Sequence, residues 1–170
     1  MSTLFSDTDK TLNDWYAKGK HEVEANQFAS ELLMPSHLFK SIVSGKVMSL
    51  DLISSTAYYF GTSVTATLLK YKDLGDFPLS IIFVKNGTVE WKQESSDFPL
   101  KFLRKGSQVA EGSVAADYYN GQGLEEQPVL VDALDWFPED FAIEDHLETQ
   151  FFEYDFKIGD DGLLCCLWAQ

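Results

Sequence analysis

Few residues in this chain have types and spacings that could do chemistry. Three histidines are present, His21, His37 and His146. No two of them stand at the four-residue interval by which one helix face offers a pair of imidazoles to zinc. His21-Glu22 begins like an H-E-x-x-H motif, but the fifth residue is Ala25. The two cysteines, Cys165 and Cys166, are adjacent. Neighbouring cysteines strain any disulfide between them and do not form a C-x-x-C ligand pair. His146 lies among Glu144, Asp145 and Glu148 and reads as a solvated histidine in an acidic stretch. His37 reads as a surface or capping residue. No catalytic residue can be assigned.

Glu22 is the one acid whose placement asks for a partner. From Lys20, the apolar residues Ala25, Phe28, Ala29, Leu32 and Leu33 recur at helical spacing. At about 100° per residue, Glu22 lies roughly 50° from the centre of that apolar stripe, while Glu24 and Glu31 turn toward solvent. A carboxylate at the edge of a core needs a cation, hydrogen-bond donors or a metal. A capping or salt-bridged acid in a first helical turn satisfies the same pattern, because the helix dipole favours negative charge there.

The run His21-Glu22-Val23-Glu24-Ala25-Asn26-Gln27-Phe28-Ala29-Ser30-Glu31-Leu32-Leu33-Met34-Pro35 resembles the E-x-x-A-N-x-F-A-x-x-L-L-M-P signature of ImmA/IrrE-type zinc metallopeptidases. The resemblance is densest over residues 22–35 and continues more weakly through Leu50–Ile53, Tyr59–Ser63, Ser113–Asp117 and Leu163–Trp168. It implies a zincin-like core in which two histidines of an H-E-x-x-H helix and a downstream Glu bind zinc. By position that downstream ligand is Glu22. The family's other two ligands and its general base have no counterpart in this chain. The expectation is a truncated, proteolytically inactive relative, with no cofactor of its own although the full-length family uses zinc. The resemblance also implies a helix-turn-helix repressor as partner class and a regulatory role. Self-association is a further expectation, since loss of a catalytic helix would bare the apolar stripe over residues 25–43.

The elements that would carry these residues can be read along the chain. A helix from Lys20 ends near Leu33, because Pro35 pushes Met34 out of helical geometry. A second helix runs over Pro35–Val43 and stops at Gly45. Ser49 caps a third with Leu50, Ile53 and Ala57 inward, and Gly61 breaks it. Ser63 caps a fourth with Val64, Leu68 and Tyr71 inward. The last two resemble a helix-turn-helix pair, so a DNA-binding role for residues 49–73 stays open as an alternative. Punctuation over Asp73–Pro78 marks a boundary, giving a helical remnant over 1–75 and an α+β domain over 76–170. In the second part, Asn86-Gly87 between apolar runs signals a hairpin of residues 79–84 and 88–92. Pro99–Leu103, Val129–Leu134, Gln150–Phe156 and Leu163–Trp168 read as further strands, and Ser113–Tyr119 as a helix. The fold class is α+β with a mostly antiparallel sheet; the family resemblance further implies a GAF-like arrangement, which would suit a small-molecule sensor or protein-binding module.

Composition bounds the partners. Of 170 residues, 45% are hydrophobic, enough for a substantial core. The net charge is −14, and it is uneven: −3 over residues 1–35, +2 over 36–75 and −13 over 76–170. Such acidity opposes unaided binding to a phosphate backbone, so nucleic acid is not the expected partner. Residues 1–7 show no basic start or apolar run, no stretch is long enough to span a membrane, and the cysteine usage suits a reducing compartment. A cytoplasmic protein without membrane partners is expected.

Overall fold

The computed structural model describes the backbone of residues 20–169 and side chains from Gln27 onward. The chain divides into two compact units, split between Asp76 and Phe77. Among the described residues the first holds four helices: α1 (Lys20–Leu33), α2 (Ser36–Val43), α3 (Leu50–Phe60) and α4 (Val64–Leu74). Their ends follow local chemistry. Pro35 separates α1 from α2. Ser49 Oγ accepts from Leu52 N at 3.2 Å, and Ser63 Oγ accepts from Ala66 N at 3.2 Å, so both predicted caps are made. Gly61 closes α3 at φ 64°, the left-handed conformation glycine adopts without steric cost. Phe39, Val43, Ile53, Ala57, Leu68 and Tyr71 are buried in this unit, and Tyr71 donates its hydroxyl proton to Lys46 O at 2.8 Å.

On α1 the apolar stripe stands bare, as expected where no catalytic helix covers it. Phe28, Leu32 and Leu33 are 72%, 70% and 56% exposed, and Ala29 is exposed with them. Among the described side chains of residues 27–34, Met34 at the helix end is the one that is buried. Helical periodicity identifies which side chains share a face; it does not supply a surface for that face to pack on.

The second unit is a five-stranded antiparallel sheet in the order β2-β1-β5-β4-β3, formed by β1 (Leu79–Lys85), β2 (Thr88–Glu94), β3 (Val129–Asp132), β4 (Gln150–Ile158) and β5 (Gly162–Trp168). The arrangement is α+β, as the sequence indicates. The hairpin β1–β2 turns at Asn86 and Gly87, with φ of 50° and 73°, the positive values that a tight hairpin turn of this kind needs. Helix α5 (Val114–Tyr119) is capped by Ser113 and a one-turn helix α6 (Ala133–Trp136) follows β3. A core of Ile82, Phe98, Leu100, Trp136, Phe137, Phe151 and Leu163 fills the face on which these helices pack.

Two strand assignments fail here. Pro99–Leu103 forms no strand: the backbone N–H groups of Lys101 and Phe102 donate to Asp140 Oδ2, both at 2.6 Å, in place of a sheet ladder. The strand at Val129 stops at Asp132 rather than Leu134, because Ala133–Trp136 coil into α6 and turn the indole of Trp136 inward. Among the described residues, no helix is long and apolar enough to cross a membrane.

Candidate functional site

In the helical unit, α1 carries the predicted metal position. The backbone of Glu22 is helical, and its side chain lies outside the described residues, as do those of His21 and Ala25. Nine residues beyond Glu22, Glu31 gathers the end of α1, the start of α2 and α4. Its Oε1 accepts from Ser36 N at 2.8 Å, and its Oε2 accepts from Ser36 Oγ at 2.5 Å and Lys70 Nζ at 2.8 Å. The Lys70 ammonium, followed by the Ser36 donors, holds the Glu31 carboxyl down at about 2. Lys70 is thus engaged by Glu31 and Lys72 by Asp73, so both cations of α4 have carboxylate partners.

Beside this junction α2 and α3 leave an open groove of about 320 Å³ lined by Leu38, Ile42 and Tyr59 with Ser41, Ser55 and Thr56. Thr56 Oγ1 is buried there without a hydrogen-bond partner. Leu38 is 41% exposed and Tyr59 66%, so apolar exposure in this unit is not confined to α1.

His37 is exposed on α2, and among the described residues it joins no group of metal-ligating side chains. One carboxylate cannot hold an ion that needs three or four ligands. His146, in the second unit, is half-buried with Nδ1 3.2 Å from Thr149 Oγ1.

A different group of ligand-type side chains does assemble, in the sheet. Glu153 and Asp155 sit two residues apart on β4 and so face the same side, with Phe151. Cys165 is the β5 residue directly opposite Asp155. All three are buried, at 0%, 4% and 0% exposure, with one potential ligand atom from each lying within 4.8 Å of the others. Glu153 is held from two sides: Ala115 N donates to Oε1 at 3.0 Å and Trp136 Nε1 to Oε2 at 2.8 Å. Neither oxygen of Asp155 has an N–H donor. Burial, opposed by these donors, pushes the Glu153 carboxyl up to about 7. Burial, then the neighbouring Glu153 charge, pushes Asp155 well above the usual carboxylate range, and burial does the same to the Cys165 thiol.

The sequence reading missed this cluster for a definite reason. In Phe151-Phe152-Glu153-Tyr154-Asp155-Phe156 the aromatics outnumber the acids on alternate positions, so the alternation suggests Phe152, Tyr154 and Phe156 as the inward set. The register is the other way round, with Glu153 and Asp155 inside. Phe151 was the available signal, since it shares their face and is 1% exposed.

Residues 5–72 match the Peptidase M78 family model, described as the IrrE N-terminal-like domain. The match covers the resemblance read from residues 22–35 and the helices that follow, so this stretch is similar to the N-terminal domain of IrrE-type metallopeptidases. A search of curated proteins finds no match.

Proposed function

We propose, from residues 5–72 as an IrrE N-terminal-like domain, that this chain is a non-cleaving, regulatory relative of the ImmA/IrrE peptidases that holds a protein partner on its helical unit. The partner that best suits the family resemblance is a helix-turn-helix repressor, with one amphipathic helix seated along α1 and in the groove between α2 and α3. The observation that carries this reading is the apolar exposure of that unit: Phe28, Leu32, Leu33, Leu38 and Tyr59 are each more than 40% exposed. Separately exposed apolar residues are ordinary, but several on one helix, together with an open apolar-lined groove in the same unit, are features of the kind that receive an amphipathic helix. The non-cleaving part rests on the donor set. Three histidines without the four-residue spacing leave Glu22 as a ligand without companions.

Zinc, where the family holds it, polarises the scissile carbonyl and its bound water. In this chain the corresponding helix instead offers binding surface, and Glu31 fixes the junction of α1, α2 and α4 behind it. A GAF-like sensor role for the sheet unit has less support. The groove there, lined by Val89, Leu103, Arg104, Trp136 and Glu139, offers about 80 Å³, whereas small-molecule pockets run from about 300 Å³ upward.

The test pairs a cleavage assay with a binding assay. The chain is incubated with a purified helix-turn-helix repressor and zinc, and the repressor's mass and its comigration with the chain are followed. The reading expects an intact repressor and a saturable complex that the double substitution Leu32→Asp and Leu38→Asp abolishes. Fragments of the repressor, or no complex with the wild-type chain, would overturn it. Sedimentation of the chain alone separates this from self-association on the same face.

A further inference from the structure

We propose that Glu153, Asp155 and Cys165 form a buried binding site for one zinc-class divalent transition-metal ion, distinct from the Glu22 position in the helical unit. Three observations converge on a cation. The first is Asp155: a carboxylate 4% exposed with no N–H donor on either oxygen faces only the Cys165 thiol and the Glu153 carboxyl, a setting that an ion between the three would satisfy. The second is Glu153. Its two oxygens each accept one hydrogen bond, from Ala115 N and from Trp136 Nε1. Donors on both oxygens stabilise the ionised carboxylate and orient it, as outer-shell partners do for metal ligands. Asp155, on the same face of β4, is equally enclosed. The third is the register of β4 on β5, which sets the Cys165 sulfur opposite Asp155 on the same face.

The donor set selects the ion. Two carboxylates and one thiolate match borderline ions such as zinc or cobalt, whose bonds to sulfur and oxygen are about 2.3 and 2.0–2.2 Å. Ligand atoms within 4.8 Å of one another need only a small closing movement to share such an ion. Calcium and magnesium are disfavoured, because they take six or more oxygen ligands and no sulfur. Cys166 is not part of the site. It pairs with Tyr154 across the ladder, so its side chain leaves from the opposite face.

Cobalt is the probe, because its bond to thiolate gives a near-ultraviolet charge-transfer absorption that zinc lacks. The full chain is stripped with a chelator, then refolded with cobalt, since the site is closed to solvent once formed. We expect one equivalent of cobalt with thiolate charge transfer, displaced by zinc. Cys165→Ser should lose the charge-transfer band, and Asp155→Asn should weaken binding at least tenfold. Glu22→Ala should leave both unchanged, which keeps this test independent of the helical unit's role. Asp155→Asn should also melt no lower than the metal-free wild-type chain, so loss of binding is not loss of fold. Absence of stoichiometric cobalt uptake, or uptake unchanged by Cys165→Ser and Asp155→Asn, would overturn the site.

Discussion

The two units differ most in what they enclose: both expose large apolar groups, Phe141 of the sheet unit at 95%, but among the described residues the buried carboxylates all lie in the sheet unit. The helical unit leaves large apolar groups in solvent, Phe28, Leu32 and Tyr58 at 72%, 70% and 90% exposure. The sheet unit draws carboxylates inside, Glu153 and Asp155 at 0% and 4%. Each is a local departure from the rule that apolar groups are buried and charges solvated, and departures of this kind gather where function is carried. In the first unit the departure is a surface that another protein can cover. In the second it is a set of donors that an ion can satisfy. One unit is incomplete outward and the other inward.

That contrast can be broken by substitution, and the largest effect belongs to the sheet. Trp136→Ala removes a fully enclosed indole and leaves Glu153 Oε2 without its donor, so it should destabilise the chain by about 4 kcal/mol in urea unfolding. A loss under about 1 kcal/mol would mean that the indole is not a structural pin. Asp140→Ala comes next. Burial alone would raise this carboxyl, but donation from the backbone N–H groups of Phe102, Ala142 and Lys101 outweighs it and holds the value below the usual range. Removing three charge-assisted hydrogen bonds should cost about 2–3 kcal/mol and raise amide exchange at residues 101 and 102. In the helical unit, Ser63→Ala deletes the cap on α4 and should cost about 1 kcal/mol by thermal unfolding. Leu32→Asp should change stability by less than about 0.5 kcal/mol, since its site is already in water. A large loss there would show that α1 is covered within the chain, and the proposed docking face would fall.

The smallest expected effect is a pH dependence. Glu31 has its folded value depressed to about 2 from 4.5, with the Lys70 contact first among the causes. A depressed acid contributes stability that is present above about 4.5 and lost as pH falls toward about 2. The group is fully exposed, so salt screens the contribution. Glu31→Gln should therefore lower the melting temperature slightly at pH 7 in low salt and by clearly less at pH 2. An equal difference at both values would assign the effect to the Ser36 hydrogen bonds instead.

How much of this was legible follows the range of the interactions. Ser49, Ser63 and Ser113 cap helices through contacts three residues away, and Asn86-Gly87 turns a hairpin between adjacent strands. Signals of that length stand in the sequence as short motifs. The loop at Pro99–Leu103 is fixed by Asp140, 38 and 39 residues on, and the acid cluster by Ala115, Trp136 and Cys165 acting on β4. No local pattern encodes those partners, so a stretch with strand propensity became a loop and a pair of apparently solvent-facing acids became core. Of the candidate sites, Glu22 was visible through its signature run, whereas the sheet cluster needed the register of β4 and β5.

The central claim is that the helical unit binds a protein without cutting it. Its most direct test is the intact mass of a helix-turn-helix repressor incubated with the zinc-supplied chain, read beside a binding titration of the same mixture. The account predicts an unchanged repressor mass together with saturable binding that Leu32→Asp with Leu38→Asp removes. Zinc-dependent fragments, or no binding at any ratio, would contradict it.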